Sequence, residues 1–250
     1  MTRITLEICV DDAAGLHAAL EGGADRIELC AALALGGLTP SAGLIALAAD
    51  GPLPALAMIR PRAGDFVWSR VEVRAMQIEI AAIRSAGLAG VVIGASRPDG
   101  ALDAEVLAEL VASAKGLDIT LHRAIDLTPD PVEAMALCAR LGIKRVLSSG
   151  GALTALEGIK RLAAMPRPGV SVMPGGGVNA TNAALFASRL PLTEIHASCS
   201  KVLALPADPN ISRFGFQPQG ARGTDASAVR ALRDALDQIA ASRPLGWTSS

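Results

Sequence analysis

The sequence predicts a single (β/α)₈ barrel of the TIM type: one α/β domain, eight parallel strands, site at the C-terminal mouth. Three observations predict it. β-branched runs alternate with Ala/Leu-rich amphipathic stretches along the chain, the pattern of a parallel sheet covered by helices. Eight strand candidates can be counted, and 250 residues is the usual size of one closed barrel. A junction of helix, Gly and strand recurs at residues 21–29, 84–94 and 139–150, where Gly suits the left-handed position after a helix. A doubly wound open sheet is the rival, but no G-x-G-x-x-G follows the first strand.

The elements follow in order. Strands are expected at 5–10, 26–30, 55–60, 90–94, 119–122, 145–149, 170–173 and 194–198. In a barrel, outward strand residues are apolar and pack on helices, and inward residues near the strand ends form the site. The first strand turns Leu6, Ile8 and Val10 outward and Glu7 and Cys9 inward. The second turns Ile27 and Leu29 outward and Glu28 and Cys30 inward. The third points Met58 and Arg60 inward, the fifth Thr120 and His122, and the eighth Glu194, His196 and Ser198. Helices are expected at 73–86, 104–114, 131–141 and 154–164. Thr39 and Ser41 lie in a loop that leads into a short helix and are expected to cap it. After the last strand an irregular stretch, about 199–223, leads to a final helix from Asp225, as N-cap, to about 241. The domain spans 1–242, and 243–250 reads as a tail, with Trp247 a candidate subunit contact.

Composition excludes several classes of function. Hydrophobic residues make up 51%, enough for a large core, and the net charge is −1. Neither nucleic acid nor an anionic membrane is expected as a partner. Aromatics are only 2%, which argues against stacking platforms for single strands. No apolar run approaches a membrane span, and no signal peptide is read at the N-terminus. A cytoplasmic protein is expected, with its four cysteines as thiols.

Glu-x-Cys thus occurs twice on one face of two early strands. A core would not select two acids, and a solvent face would not select two cysteines. Two chemistries fit. Soft thiolates at Cys9 and Cys30 select Cu(I). Alternatively Glu7 or Glu28 acts as a base with His122 or His196 as partner, Asp126 lying just beyond, in isomerisation, aldol-type cleavage or hydrolysis of a small anionic or phosphorylated metabolite. A hard divalent metal on Glu7, Glu28, His122 and Glu194 is a third possibility. Buried carboxylates need a cation, and Arg60 is the candidate for Glu7 or Glu28. No Lys points inward, so Schiff-base chemistry is not expected.

Glycine-rich turns follow strands six and seven: Ser149-Gly150-Gly151 and Gly175-Gly176-Gly177. Glycines let backbone N–H groups face an anion, and late barrel loops often hold phosphate. With Ser198, Arg60 and Arg62 they form the candidate anion site. Cys138 reads as core, His17 as surface, and Trp68 as packing near the mouth.

The chain resembles the CutC family, named for copper homeostasis. The matching stretches include residues 6–9, 23–30, 36–41, 59–66, 121–126, 145–150, 173–178 and 194–198. The resemblance implies a (β/α)₈ barrel, a cytosolic homo-oligomer and Cu(I) binding by Cys9 and Cys30. Cys199 departs from the family pattern, where a small residue is expected, and adds a third thiol or fills space. Ala63 departs as well, where Gly is commoner.

Overall fold

A computed structural model describes residues 3–167 and 169–242. The expected tail and Trp247 lie outside the described residues. Eight parallel strands run β1 (Thr5–Val10), β2 (Arg26–Leu29), β3 (Ala55–Met58), β4 (Gly90–Ile93), β5 (Asp118–Leu121), β6 (Arg145–Ser148), β7 (Ser171–Pro174) and β8 (Glu194–Ala197). Their order is β7-β6-β5-β4-β3-β2-β1-β8, and β7 and β8 meet without a ladder, so the barrel is nearly closed. This is the (β/α)₈ fold that the alternation predicts.

The helices around the barrel are α1 (Ala13–Gly22), α2 (Ala42–Ala49), α3 (Arg70–Ser85), α4 (Ala104–Ser113), α5 (Pro131–Arg140), α6 (Ile159–Ala164) and α7 (Ala183–Arg189). Short polar side chains cap the first five. Asp12, Ser41, Asp103 and Asp130 accept from first-turn N–H groups, and Ser69 with Glu72 forms a capping box. Outward strand residues such as Leu6, Ile8, Ile27, Leu29 and Ile195 are fully buried against helix residues including Met76, Ile80 and Phe186.

Two expectations are corrected. α6 begins at Ile159 rather than near 154, because the chain at Gly158 packs so tightly on the Ser149 carbonyl that a Cβ there would collide with it. The stretch after β8 is not irregular. It forms a hairpin, β9 (Ser200–Val202) with β10 (Arg222–Thr224), enclosing α8 (Pro209–Arg213). The last helix, α9 (Ala226–Ser242), follows Asp225 as read.

Register brings the inward side chains together. On β1, Glu7 lies between Arg26 of β2 and His196 of β8, and Cys9 pairs with Glu28.

Candidate functional site

Inside the barrel the early-strand acids have opposite fates. Glu7 is fully buried and ionised. Arg26 Nε donates to Oε2 at 2.5 Å, and His196 Nδ1 lies 2.9 Å from Oε1. Burial pushes its carboxyl up, but His196 and Arg26 outweigh this and hold it at about 2. Arg26 also donates to Glu194 at 2.6 Å, and Arg145 reaches Glu194 at 2.6 Å and Asp118 at 3.0 Å. These side chains form a buried plug of alternating charge beneath the mouth. The cation on Glu7 is therefore Arg26, not Arg60. Glu194 is held by two arginines and is not a free ligand for a divalent metal, so the four-residue hard-metal set is not assembled.

Among the described residues Glu28 has no arginine partner. Its Oε2 lies 3.7 Å from His196 Nε2, and Cys30 Sγ donates to it at 3.7 Å. Its Oε1 is buried without a partner. Burial, reinforced by the Glu7 charge, drives this carboxyl up, while His196 pulls it down. Burial alone would lower His196; Glu28 and Cys9 instead raise it well above the ordinary value. His196 is thus favoured as the imidazolium, oriented by the Glu7 carboxylate at 2.9 Å and facing Glu28 across 3.7 Å.

Cys9 joins this pair. Ligand atoms of Cys9, Glu28 and His196 all lie within 4.8 Å of one another. Cys30 is outside that triad, fully buried in a small cluster with Leu56, Met58 and Val92. Burial, Glu28 and Cys9 push its thiol well above the usual range.

A pocket of about 200 Å³ opens at the strand C-termini, walled by Cys9, Glu28, Arg60, His122, His196 and the glycines 175–177, among others. Arg60 donates to the carbonyls of Leu35, Gly37 and Gly64 at 2.8–3.0 Å, its Nε is buried without a partner, and it forms no ion pair among the described residues. Its charge is left to the pocket. Thr39 does not cap α2; its Oγ1 accepts from the Arg60 backbone N–H and donates to Glu79, while Ser41 provides the cap.

His122 is buried. Its Nδ1 accepts from Ala124 N–H at 3.1 Å, so the ring proton sits on Nε2, which has no partner. Phe66 packs on the ring at 4.6 Å, and a Cβ at Gly94 would collide with it. Trp68 packs as read and anchors Gly94, donating Nε1–H to its carbonyl at 2.8 Å. Burial and the Arg60 charge bring His122 down to about 3, so it is neutral.

Asp126, Ser149, Gly150 and Arg62 take other roles. Asp126 accepts from Ser148 Oγ, the Ser149 and Gly151 N–H groups and Arg123 Nε, and so fills the glycine nest after β6 with the protein's own carboxylate. That turn does not await an external anion, and Asp126 is engaged structurally. Arg62 faces outward to Glu72 and Asp65. Gly175, Gly176, Gly177 and Ser198 do line the pocket. Cys199, buried with φ +44°, accepts Asp225 N–H on its carbonyl and seats the last helix. The sequence reading missed Arg26 and Arg145, which sit at strand starts where alternation alone already turns them inward.

Fold and site together define a (β/α)₈-barrel protein with an acid–imidazole–thiol cluster beside a neutral histidine and an unpaired arginine. The CutC family model matches residues 4–201, and the chain belongs to that family. A CutC family protein of Rhizobium meliloti (strain 1021) is 51% identical, covering 96% of this chain and 99% of its own. One of Caulobacter vibrioides (strain NA1000 / CB15N) is 49% identical over 92% and 98%. A solved CutC structure from Streptococcus agalactiae, named for copper homeostasis, superposes with a TM-score of 0.74 at 29% identity, covering 78% of this chain and 98% of that one. A 3-keto-L-gulonate-6-phosphate decarboxylase of Vibrio cholerae, at 15% identity and a TM-score of 0.59, shares the fold alone. Among the described residues no helix is long and apolar enough to cross a membrane.

Proposed function

We propose that the mouth pocket is the acid–base site of an enzyme acting on a small anionic metabolite. One observation carries this reading: Glu28, Arg60 and His122 line a single pocket, and each holds a buried polar atom without a partner. Such groups are costly to bury and are normally satisfied. A bound molecule would satisfy all three. Arg60 would take its anionic group, and Glu28, coupled to His196, would move a proton. A pocket of this volume also suits a small organic molecule better than a bare ion. Saturation-transfer NMR with carboxylated and phosphorylated metabolites tests the reading. Binding to the wild type that is lost in Arg60→Met supports it; no binding by any compound overturns it.

A second reading, Cu(I) as cargo, is favoured by the Cys9–Glu28–His196 triad and by the family's association with copper homeostasis. Here Cys9 is the soft donor and His196 a borderline one, and Cys30, which keeps its proton tightly, is the weaker thiol. The copper reading calls for reduced thiols and so for a cytoplasmic protein. Self-association is supported by Leu205, Phe214 and Phe216, which are 71%, 62% and 79% exposed on the excursion after β8.

A further inference from the structure

We infer that the ligand of the mouth pocket is a carbonyl compound with an α-hydrogen, and that His122 donates its Nε2–H to the carbonyl oxygen while Glu28 takes the α-proton. This rests on the acid–base reading above and names its substrate class.

The argument starts from the tautomer. The Ala124 N–H, at 3.1 Å, occupies the Nδ1 lone pair. A neutral ring must then carry its proton on Nε2. That nitrogen is a donor only and lacks an acceptor, so it asks the ligand for an oxygen lone pair. The ring cannot swing away to find another. Phe66 covers it at 4.6 Å, the absent side chain of Gly94 leaves only enough room for it, and Arg60 sits over Phe66 at 5.1 Å. Arg60 also opposes a second proton on the ring. A neutral, preorganised imidazole donor stabilises negative charge that develops on a carbonyl oxygen.

The rest of the pocket completes the requirement. Glu28 brings a carboxylate oxygen without a partner, the acceptor for a proton. Arg60 brings an unpaired cation. The ligand therefore presents a carbonyl oxygen to His122, an acidic C–H to Glu28 and an anionic group to Arg60. A small keto acid or a hydroxy-carbonyl phosphate has all three.

The step balances without any co-reactant. The α-C–H bond breaks, and its proton passes to the Glu28 carboxylate. The bonding pair becomes the C=C of an enolate as the carbonyl π pair moves onto oxygen, where Nε2–H holds it. The carboxyl proton on Glu28 exchanges with solvent, and Glu28 then returns one to carbon, either to the original atom or, in an α-hydroxy carbonyl, to the former carbonyl carbon after the hydroxyl proton has passed to the enolate oxygen.

The test is α-hydrogen exchange in D₂O followed by ¹H NMR. The probes are pyruvate, dihydroxyacetone phosphate, ribulose 5-phosphate and 2-ketogluconate, and binding of each is read in parallel by saturation transfer. The expected result is enzyme-dependent loss of the α-proton signal for at least one probe. His122→Leu should slow it by roughly 100-fold, the usual effect of removing one oxyanion donor. His122→Gln, whose amide can still donate, should recover part of the rate. Glu28→Gln should abolish exchange. Thermal melts of each variant exclude loss of fold. Exchange indifferent to His122→Leu overturns the inference. Probes that bind to the wild type without exchanging overturn it while leaving the acid–base reading standing. Probes that neither bind nor exchange overturn both.

Discussion

Asp126 sits in the backbone nest of Ser149: its two carboxylate oxygens lie 3.1 and 3.0 Å from the Ser149 N–H, and Ser149 Oγ donates to it at 2.9 Å. A turn rich in glycine, at the end of a barrel strand, is thus already occupied by an internal anion. Removing that anion should expose the nest. Asp126→Ala is expected to lose about 2 kcal/mol of stability, the penalty for buried donors left unpaired. Inorganic phosphate should then raise the melting temperature of the variant more than that of the wild type. Equal phosphate effects on both proteins would contradict this assignment.

The buried plug predicts a large effect at Glu7. Glu7→Gln leaves Arg26 and His196 short of a counter-charge in a water-poor interior. Breaking such a pair typically costs about 3–5 kcal/mol, measurable as a lower urea midpoint with unchanged slope.

The same residue gives an acid dependence. The Glu7 carboxyl lies at about 2 in the folded chain against an ordinary 4.5. Its contribution is complete above 4.5 and disappears as pH falls through 2, because the unfolded chain then binds the proton that the folded chain refuses. Stability should therefore fall between pH 4.5 and 2, with a shallower fall in Glu7→Gln. A wild type and variant with parallel pH profiles would contradict the pairing.

His122 should remain neutral in mild acid. Its folded value of about 3 lies below the ordinary 6.5, so the imidazole contributes stability above 6.5 that is lost as pH falls toward 3. Long-range ¹H–¹⁵N spectra of the folded protein at pH 5 should show one histidine with its proton on Nε2 and a bare Nδ1. A doubly protonated ring there would contradict the geometry.

If the cluster takes up Cu(I), its affinity should follow the triad. Under anaerobic chelator competition, Cys9→Ser and His196→Ala should each weaken binding by more than tenfold, and Cys30→Ser should do less. Equal losses from Cys9→Ser and Cys30→Ser would restore the two-thiol arrangement.

Much of this is legible in the amino-acid sequence. Period-two alternation placed Glu7, Glu28, His122 and His196 inside the barrel, because outward positions such as Ile8 and Leu29 must be apolar to meet helices. What alternation cannot supply is lateral register. It leaves open that Glu7 lies between Arg26 and His196, so alternation by itself points to Arg60 as the cation. Nor can it tell an empty nest from a filled one, since Asp126 reaches Ser149 from 23 residues away. The opposite states of Glu7 and Glu28 are likewise invisible in their matching motifs. They arise from contacts that Glu7 makes and Glu28 does not, a hydrogen bond to His196 and an ion pair with Arg26.

The most direct measurement is thermal stabilisation with a Cu(I) chelator present, using the same carbonyl probes on the wild type and Arg60→Met, beside a chelator-free arm with Cu(I) alone. The acid–base account predicts that at least one anionic carbonyl compound stabilises the copper-free wild type, and that Arg60→Met loses this response. Stabilisation by Cu(I) alone, with none from any organic probe, would contradict it and leave the cargo reading in its place.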